Sequence, residues 1–482
     1  MRVLAATSEI YPLVKTGGLA DVAGALPLAL ARSGIETRTV VPGYRAVMAA
    51  ARGRKVAAWE HLFGGPARLV AAEAAGLQLY VVDAPHLFDR QGGLYVDASG
   101  QDWPDNWQRF AALSRVTAEI AGGLIKGWRP DLVHVHDWQA ALAPAYMRHG
   151  AAPAMLSIVT VHNLAFQGRF PAAIFAGLGL PDAAFSLDGV EYYGGVGFLK
   201  AGLQAASAIT TVSPTYAQEI RTPEFGMGLD GLINARAADL HGIVNGIDTE
   251  EWNPKTDRHL AANYGPGRLG ARNRNAAALA GEFDLDADHS PLLAVISRLT
   301  WQKGMDVLAE SIDAIVAAGA RLALLGSGDA AIEGELLAAV PRHRGRVGVR
   351  IGYDEALSHL LQGGADAILV PSRFEPCGLT QLYGLRYGCI PIVARTGGLA
   401  DTVVDANHAA LDAGCATGFQ FAAAERGQLV ATVARAIAVH RDAGAWARMQ
   451  RRAMKADVSW DKSAAQYAEL YRRLIGENDK TP

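Results

Sequence analysis

The sequence predicts an α/β fold built from two doubly wound parallel sheets, and three observations lead to this prediction. Short apolar runs alternate with longer amphipathic stretches, as expected for buried parallel strands connected by helices. The alternation begins at Val3–Ala6 and restarts at Leu292–Ser297, after a polar and irregular segment. In addition, Thr16–Asp21 and Thr396–Asp401 both consist of Thr-Gly-Gly-Leu-Ala-Asp. We therefore expect two similar halves whose strand ends face one deep interdomain cleft.

The first half contains six predicted strands separated by helical stretches. The strands are Val3–Ala6, Thr37–Val41, Leu77–Val82, Leu132–Val135, Met155–Val161 and Ala208–Val212. Two clear amphipathic stretches lie at Trp107–Gly122 and Gln139–His149. Residues 59–82 contain many alternating apolar and polar residues and several turn residues, so they predict a β-hairpin inserted into the first sheet.

The second half repeats the pattern. Its predicted strands are Leu292–Ser297, Arg321–Leu325, Val347–Ile351, Ala367–Val370 and Pro391–Ala394. Its predicted helices are Met305–Ala318, Ala330–Val340, Glu355–Gln362, Leu379–Tyr387, Gln428–His440, Gly444–Ala456 and Trp460–Ile475. These patterns predict an N-terminal domain over residues 1–243, a C-terminal domain over 244–456, and a C-terminal helix within 457–482. A terminal helix after a complete second sheet often packs back on the first domain, so we expect this packing here, although periodicity does not decide it.

Composition and charge argue against several classes of protein. The 482 residues correspond to two large domains or about three smaller ones. Their net charge is −3, whereas a nucleic-acid-binding surface is expected to be strongly basic. Three cysteines without a C-x-x-C pair predict neither a disulfide framework nor a zinc ribbon. The sequence has no signal-peptide pattern and no apolar run of the roughly 18 residues that a membrane span requires. We expect a cytoplasmic protein that binds neither nucleic acid nor membrane.

The first copy of the glycine motif has the chemistry of a phosphate-binding turn. A strand, a glycine turn and a helix direct backbone N–H groups towards an anion. Gly17 and Gly18 lack the Cβ atoms that would keep a phosphate away, and Lys15 adds a positive charge. An ordinary βα turn explains the loop equally well when it is considered alone.

Two strands of the first half end in polar residues that suit a sugar. The stretches His136–Gln139 and His162–Asn163 directly follow predicted strands. Sugar hydroxyls need hydrogen-bond partners, and the apolar face of a sugar ring packs on an aromatic surface. His134 and His136 share one face of a strand and suggest a metal site as an alternative. No carboxylate or cysteine cluster joins them, so a structural role for His134 is preferred.

Two cations follow the first strand of the second half. Arg298 and Lys303 precede a predicted helix, whose start also favours anion binding, and form a candidate clamp for a diphosphate. A solvated charged loop is the alternative. Gly326–Ala331 matches the dinucleotide fingerprint G-x-G-x-x-A, but no acidic residue ends the next strand, so a tight βα turn is preferred. Tyr353 follows that next strand and is a candidate for stacking on a base.

The densest group of polar and glycine residues is Pro371–Gln381, which follows a predicted strand. Glu375 lies at the strand end, and Gly378–Thr380 offer N–H groups at a helix start. A carboxylate beside such a helix start can hold sugar hydroxyls while the helix holds phosphate. A capped turn is the plain alternative, although it does not require Cys and Gly beside Glu. Cys377 is either a reactive thiol or a small buried packing residue.

Together these stretches resemble the bacterial glycogen synthases and the similar plant starch synthases. That family consists of retaining glycosyltransferases of the GT-B architecture, with two facing Rossmann-like domains. The matching stretches are Ser8–Asp21, His136–Gln139, Thr160–Asn163, Val244–Asp248, Arg298–Gly304, Glu375–Gln381 and Arg395–Asp401. The resemblance implies transfer of glucose from ADP-glucose to the non-reducing end of an α-1,4-glucan such as glycogen, without a cofactor or a metal.

The resemblance also implies roles for individual residues. The implied catalytic residues are Glu375, Arg298, Lys303, His162 and Asp137. The implied donor-binding residues are Lys15, Gly17, Gly18, Asn245, Tyr353, Cys377, Gly378, Leu379 and Thr380. The residues implied on the acceptor side are Asp21, Trp138, Gln139 and Asn163. In this scheme the two cations neutralise the diphosphate, and the carboxylate of the second domain holds the glucosyl hydroxyls.

One position departs from the wider class of retaining enzymes, in which a second Glu lies eight residues after the first. That position is Tyr383 here, a departure that bacterial glycogen synthases share. Retention is expected through front-face attack or through a covalent intermediate on a protein nucleophile. A glucan-binding protein without catalysis and a nicotinamide-dependent dehydrogenase are the competing functions, and the cations together with Glu375 favour the enzyme.

Overall fold

The computed structural model describes residues 1–150, 152–422 and 424–478. Within it the chain divides into two compact units. The first comprises Met1–Ile243 together with the segment from Trp460 onwards, and the second comprises Val244–Ser459. Residues 479–482 of the predicted terminal segment lie outside the described residues. No described helix combines the length and the apolar character needed to cross a bilayer.

The first unit is built on a nine-stranded sheet. Its strands are β1 (Arg2–Ala6), β2 (Glu36–Pro42), β3 (Arg52–Leu62), β4 (Gly65–Ala74), β5 (Leu77–Asp83), β6 (Leu132–His136), β7 (Ser157–Val161), β8 (Arg169–Pro171), β9 (Glu191–Tyr192), β10 (Gly195–Gly197), β11 (Ala208–Thr211) and β12 (Leu240–Gly242). The sheet order is β12-β11-β7-β6-β1-β2-β5-β4-β3, and β8, β10 and β9 form a small antiparallel sheet. In the nine-stranded sheet, the seven strands from β12 across to β5 in this order are parallel. Strands β4 and β3 are antiparallel to their neighbours.

Helices connect these strands. They are α1 (Gly18–Ala31), α2 (Arg45–Ala50), α3 (Pro85–Phe88), α4 (Asn106–Ala121), α5 (Asp137–Ala140), α6 (Ala143–Arg148), α7 (Phe175–Leu178), α8 (Phe198–Ala205), α9 (Pro214–Glu219) and α10 (Asp230–Ala235). From β1 the next strand, β2, is added towards one edge of the sheet, whereas β6 and then β7 are added towards the opposite edge. The order therefore reverses between β1 and β6, which makes that pair the switch point of the first sheet.

The second unit has a six-stranded, fully parallel sheet. Its strands are β13 (Leu292–Leu299), β14 (Arg321–Gly328), β15 (Val347–Ile351), β16 (Ala367–Val370), β17 (Ile390–Ala394) and β18 (Phe419–Phe421), in the order β15-β14-β13-β16-β17-β18. Its helices are α11 (Arg272–Glu282), α12 (Met305–Ala317), α13 (Ala330–Arg342), α14 (Glu355–Gly364), α15 (Thr380–Tyr387), α16 (Gly397–Thr402), α17 (His408–Asp412), α18 (Arg426–His440) and α19 (Ala443–Ala453). Here the order reverses between β13 and β16.

The last helix, α20 (Trp460–Asn478), belongs to the first unit. It packs on α1 through buried aromatic residues, since Tyr467 and Tyr471 share a core cluster with Val22 and Leu26. The ion pair between Arg32 and Asp461 joins the same two helices, with 2.5 Å between the charged atoms. Most of the stabilisation comes from apolar burial, because exposed ion pairs contribute little.

The predicted fold class is confirmed, and the differences have local causes. The predicted hairpin is a three-stranded meander that begins at Arg52, because β3 is an edge strand whose first residues are exposed and carry little apolar signal. The predicted helix 139–149 is divided into α5 and α6, with Pro144 in the first turn of α6. Strand β18 was not predicted, since three residues are too few for a periodic pattern.

Candidate active site

The predicted site residues lie at the switch points of the two sheets, where open α/β sheets usually bind ligands. In the second unit, Arg298 lies near the carboxyl end of β13, and Glu375 follows β16. In the first unit, the loop that carries Lys15 follows β1, and Asp137 follows β6 directly. The topology therefore explains why residues far apart in the sequence come together within each unit.

A buried ion pair forms the centre of the second-unit site. The Nζ atom of Lys303 lies 2.6 Å from each carboxylate oxygen of Glu375. Ser372 Oγ donates a further hydrogen bond of 2.7 Å to the same carboxylate. Only 16% of the Lys303 side chain and 9% of the Glu375 side chain are exposed. The structure thus pairs Glu375, the predicted sugar-binding carboxylate, with Lys303, one of the two cations predicted to bind the diphosphate.

Gly304 explains how Lys303 reaches this position. The glycine has φ +66° and is the N-cap residue of α12, and a Cβ atom there would lie 1.9 Å from the carbonyl oxygen of Pro371. Any side chain would therefore push the loop after β13 away from the loop after β16. The glycine allows the two loops to touch, which places Lys303 beside Glu375.

The two arginines of this region have different surroundings. Arg298 is exposed, and its guanidinium has no hydrogen bond or ion pair within the described residues. Arg373, in contrast, lies 2.7 Å from both carboxylate oxygens of Asp306 and 4.4 Å from the ring centre of Trp301. Because Asp306 lies in the first turn of α12, that helix start already carries a negative charge. The Arg373 guanidinium compensates this charge, so anion binding at the start of α12 stays a prediction, and Arg298 remains available for an anion.

The loop before α15 does offer N–H groups. Gly378 has φ +72°, Leu379 is the N-cap residue, and Thr380 is the first residue of the helix. In the part of the chain that the structure describes, no hydrogen bond uses the N–H group of any of these three residues. N–H groups at a helix start favour anions. The structure thus places open donors five residues or fewer from Glu375 in the sequence.

Cys377 is buried beneath this loop. Burial raises the pKa of its thiol to about 12, even though the backbone N–H of Asn245 hydrogen-bonds to the sulfur. A thiol with so high a pKa stays protonated at neutral pH and is a poor nucleophile. The packing role left open by the sequence is therefore favoured over the reactive one. Asn245 is itself buried, and its Oδ1 atom has no hydrogen-bond partner among the described residues.

The second copy of the glycine motif supports the Glu375 loop. A Cβ atom on Gly397 would lie 2.1 Å from the carbonyl oxygen of Glu375, and one on Gly398 would lie 2.1 Å from that of Cys377. The N–H group of Gly398 donates to the Glu375 carbonyl at 3.1 Å. The repeated glycines therefore allow two backbone segments to touch.

The first unit groups Asp137 with two histidines. The N–H group of His162 donates to Asp137 Oδ1 at 2.7 Å, and His136 Nδ1 lies 3.0 Å from His162 Nε2. Burial raises the pKa of Asp137 to about 7, lowers that of His136 to about 3 and lowers that of His162 well below its usual value. Asp137 also has φ +53°, an uncommon backbone conformation that occurs often at functional sites. The group thus combines neutral imidazoles with a carboxyl that titrates near neutral pH.

His134 has a structural role. Its Nδ1 atom lies 2.7 Å from the Tyr471 hydroxyl, and its Nε2 atom lies 2.5 Å from Thr160 Oγ1. The hydrogen bonds continue to Thr210, whose Oγ1 atom lies 2.5 Å from that of Thr160. Both ring nitrogens are occupied, and burial lowers the pKa of His134 well below its usual value. This network ties α20 to the central strands of the first sheet.

Acid is expected to destabilise the protein through these histidines. The folded-state pKa values of His134, His136 and His162 lie below the unfolded value of 6.5. As the pH falls, these histidines therefore take up protons in the unfolded protein before they do so in the folded protein. Each fully protonated histidine of the unfolded protein lowers the free energy of unfolding by about 1.4 kcal/mol per pH unit. Asp137 has the opposite effect, because its raised pKa makes the folded protein bind one proton that the unfolded protein does not bind in this pH range. Together these four groups should lower the free energy of unfolding as the pH falls below 6.5, with a slope that starts near about 1 kcal/mol per pH unit and approaches about 2.7 kcal/mol per pH unit at pH 5.

Urea unfolding at several pH values measures this slope. His134→Gln should reduce the slope by about one proton. His408→Gln is the matched control, because 94% of the His408 side chain is exposed, and it should keep the wild-type slope. A free energy of unfolding that stays constant from pH 6.5 to pH 5 would contradict this account.

The structure revises the expectation for Trp138. Its ring is buried against Phe110, Phe170 and Phe198, with 4.9 Å between its centre and that of Phe110. A Cβ atom on Gly168 would lie 2.3 Å from the same ring. The ring is part of the core, which argues against the acceptor-side role expected for it, and that role stays a prediction.

The other two predicted acceptor-side residues near these strands keep polar atoms available. Gln139 is buried, and its Oε1 atom has no partner among the described residues. Asn163 is partly buried and accepts a hydrogen bond of 3.0 Å from the N–H group of Ala165 through Oδ1, while its Nδ2 atom has no partner in the described part of the chain. Both residues remain candidates for binding hydroxyl groups.

Glu9 already occupies the predicted phosphate turn of the first unit. Its buried carboxylate accepts hydrogen bonds from the N–H groups of Thr16 at 2.5 Å and Gly17 at 3.2 Å, and from the hydroxyls of Thr16 and Tyr95. Lys15 lies 2.7 Å from Asp21. The expectation of a phosphate bound by these N–H groups is therefore corrected, because an internal anion has taken them.

Helix α1 begins at Gly18, inside the glycine turn itself. The Glu9 carboxylate beside its N-terminus explains this early start, because negative charge at a helix N-terminus is stabilising. Ser8 and Glu9 open the motif that carries the family resemblance, so the signal was present, but spacing alone does not pair Glu9 with residues seven and eight positions later.

Tyr353 and Tyr383 occupy contrasting environments. The Tyr353 side chain follows β15, is 76% exposed and donates a hydrogen bond of 2.5 Å to Glu355. Tyr383 stacks on Trp252 with 3.8 Å between ring centres, and Trp252 stacks at 3.8 Å on His359. An aromatic stack thus occupies the position where the wider class of retaining enzymes has its second Glu.

Comparison with known proteins agrees with this arrangement. Residues 2–235 match the starch synthase catalytic domain, and residues 283–449 match glycosyl transferases group 1. The glycogen synthase of Mesorhizobium japonicum is 65% identical over 478 residues, which cover 99% of both chains. This chain belongs to the glycogen synthase family. Glycogen synthase 1 of Rhizobium meliloti is 59% identical over 99% of this chain and 100% of its own.

Solved structures extend the comparison of this glycogen synthase family member. The catalytic domain of starch synthase IV from Arabidopsis thaliana, solved with ADP and acarbose bound, has a TM-score of 0.88 and 32% identity over 98% of this chain and 99% of its own. Sucrose-phosphate synthase from Thermosynechococcus elongatus shares the fold, with a TM-score of 0.57 and 17% identity over 99% of both chains. The predicted family, fold class and glycosyltransferase activity are confirmed, whereas the roles of the domains and of individual residues stay predictions.

Proposed function

We propose that this member of the glycogen synthase family transfers glucose from ADP-glucose to the non-reducing end of an α-1,4-glucan, with retention of the anomeric configuration. One observation carries the proposal. Arg298, the pair of Lys303 and Glu375, and the open N–H groups of Gly378–Thr380 share one switch point of the second unit. Starch synthase IV of Arabidopsis, a relative in the same family, was solved with ADP and acarbose. We assign the donor to the second unit and the acceptor to the first.

The cations of the second unit stabilise the leaving group. Departure of ADP leaves negative charge on the β-phosphate, and preorganised cations and N–H groups lower the energy of that charge. The ammonium of Lys303 has three hydrogens, and its two contacts with Glu375 leave one for a phosphate oxygen. Arg298 supplies a second cation whose donors have no competing partner within the described residues.

Glu375 binds the glucosyl hydroxyls instead of attacking the sugar. Its carboxylate accepts hydrogen bonds from Lys303 and Ser372, and these contacts lower its nucleophilicity because they stabilise the charged form. This environment favours front-face attack over a covalent intermediate. In that route the departing phosphate accepts the proton of the acceptor hydroxyl, and the new glycosidic bond forms on the face that ADP leaves.

Three further residues complete the proposed donor site. Asn245 directs its buried Oδ1 atom, which has no partner among the described residues, to a sugar hydroxyl. Tyr353 offers its exposed ring to the adenine. Lys15 exchanges its ion pair with Asp21 for a contact with the donor phosphate.

The acceptor binds at the polar strand ends of the first unit. His162 and Asp137 hold the acceptor sugar, Gln139 accepts a hydrogen bond from a sugar hydroxyl through Oε1, and Asn163 donates one through Nδ2. Because the pKa of Asp137 is about 7, its ionised and protonated forms coexist at neutral pH, and the ionised form accepts a hydrogen bond from a hydroxyl. A cytoplasmic location stays a prediction from the sequence.

Glycogen-dependent release of ADP tests the proposed function. We expect the purified protein to release ADP from ADP-glucose only when glycogen is present, and to act faster with ADP-glucose than with UDP-glucose at equal concentration. A faster rate with UDP-glucose would overturn the donor assignment. No release from either donor would indicate a glucan-binding protein without catalysis.

A further inference from the structure

Gln381 is a fully buried polar residue beneath the loop that carries the open N–H groups. It is the second residue of α15, and its side chain is inaccessible to solvent. Its Nε2 atom lies 3.0 Å from the carbonyl oxygen of Cys377, 2.9 Å from that of Gly378 and 3.2 Å from Thr402 Oγ1. A single amide thus holds two consecutive carbonyl groups of the loop.

These hydrogen bonds determine where the adjacent N–H groups point. In a trans peptide the C=O bond of one residue and the N–H bond of the next point in opposite directions. With the Cys377 and Gly378 carbonyls directed inwards to Gln381, the N–H groups of Gly378 and Leu379 must point away from it. Neither N–H group has an acceptor within the described residues.

The surroundings of Gln381 hold its amide in one place. A Cβ atom on Gly378 would lie 2.4 Å from Gln381 Oε1, so the amide lies where any other residue at 378 would place its side chain. Thr402 donates a hydrogen bond of 2.6 Å to the carbonyl of Gly398, which ties the amide to the second glycine motif. The loop, the amide and the motif are therefore joined by one set of hydrogen bonds.

We propose that Gln381 is a positioning residue that aims the N–H groups of Gly378 and Leu379 at the β-phosphate of the donor. It does not touch the donor, and it acts through the two carbonyls that it binds. The inference rests on the proposed function, because it requires a nucleoside diphosphate at this loop. A residue that only filled the core at 381 would be replaceable by any side chain of similar size.

Gln381→Met tests this difference, because methionine has a similar size and no N–H donors. The measurement is the inhibition constant of ADP compared with that of AMP, which lacks the β-phosphate. Two misdirected N–H groups should weaken ADP inhibition about tenfold or more, whereas AMP inhibition should change less than about twofold. The ratio of the AMP constant to the ADP constant should therefore fall, and this fall reports the phosphate-directing role and not a general loss of structure.

Gln450→Met is the matched control. Gln450 is also buried, and its Nε2 atom donates to the carbonyl of Gly388 at the other end of α15, at 2.9 Å. This variant loses a hydrogen bond of the same kind and should keep the wild-type ratio. If Gln381→Met does not fold, Gly378→Ala takes its place, because its Cβ atom displaces the Gln381 amide and should lower the ratio in the same way.

Each outcome decides the inference. A ratio that falls about tenfold in Gln381→Met but not in Gln450→Met supports it. A ratio that stays at the wild-type value in Gln381→Met, or in Gly378→Ala where that variant is used, overturns it while the proposed function stands. If the wild-type protein itself does not distinguish ADP from AMP, the diphosphate site fails and the inference fails with it.

Discussion

Replacing Lys303 or Glu375 with alanine is expected to lower kcat at least about 100-fold. Lys303→Ala removes a cation that meets the developing charge on the phosphate, and it also leaves the buried Glu375 carboxylate without its counter-ion. Glu375→Ala removes the group that holds the sugar and frees the lysine ammonium. Each change should act on kcat more than on KM, because the contact is strongest in the transition state. Steady-state kinetics with ADP-glucose and glycogen measure both constants.

Two comparisons make this prediction specific. The double variant Lys303→Ala, Glu375→Ala should lose less activity than the sum of the two single losses, because the residues act as one unit. Arg435→Ala removes an ion pair with Asp405 elsewhere in the second unit and should keep kcat within about threefold. Single variants that retain near-normal kcat would contradict the assignment of this site.

Gly397→Ala is expected to destabilise the second unit and to impair activity together. Gly397 has φ +42°, and an added Cβ atom would lie 2.1 Å from the carbonyl oxygen of Glu375. The backbone conformation alone costs an alanine about 1–3 kcal/mol, and the overlap displaces the loop that carries Glu375. We expect the melting temperature to fall by about 5 °C or more and kcat to fall with it. Calorimetry and kinetics on the same preparation measure the two effects.

The repeated motif supplies its own control for stability. Gly17 is the counterpart of Gly397 in the first copy, but it has an extended backbone, and apart from its chain neighbours no described residue comes within 4 Å of an added Cβ. Gly17→Ala should therefore keep the melting temperature within about 1 °C of the wild type. Equal melting temperatures for the two variants would contradict the tight packing of the second copy against the Glu375 loop.

The sequence predicts the sheets well because parallel strands are buried on both faces and form continuous apolar runs. Val347–Ile351 and Ala367–Val370 have the same bounds in the sequence pattern and in the structure. The edge strand β3 and the short strand β18 lack that signal. The site residues that follow central strands could be predicted as well, because the apolar runs show where those strands end and the ends of central strands lie near the switch points.

The partners of the site residues were harder to predict. The sequence suggests a phosphate at the first glycine motif, but a carboxylate seven residues earlier fills that position, and no periodic pattern reports such a contact. Trp138 follows a strand as a ligand-stacking residue would, yet three phenylalanines from other segments enclose it. Burial of a side chain depends on long-range packing, which local spacing does not encode.

Support residues were missed for a related reason. Ser372 and Gln381 lie inside the conspicuous stretch Pro371–Gln381, but their roles depend on which carbonyl or carboxylate their side chains reach. The two copies of the glycine motif look alike in sequence and differ in structure. One holds an internal carboxylate, and the other packs under the Glu375 loop.

The most direct test of the proposed function follows labelled glucose from ADP-glucose into glycogen. We predict that the wild-type protein places the label at non-reducing ends in α-1,4 linkage, so that an exo-acting hydrolase specific for that linkage releases it, with one ADP formed per glucose transferred. Lys303→Ala should incorporate at least about 100-fold less label in the same time. Release of ADP with free labelled glucose and none in glycogen, or label that the hydrolase does not release, would contradict the proposed transfer.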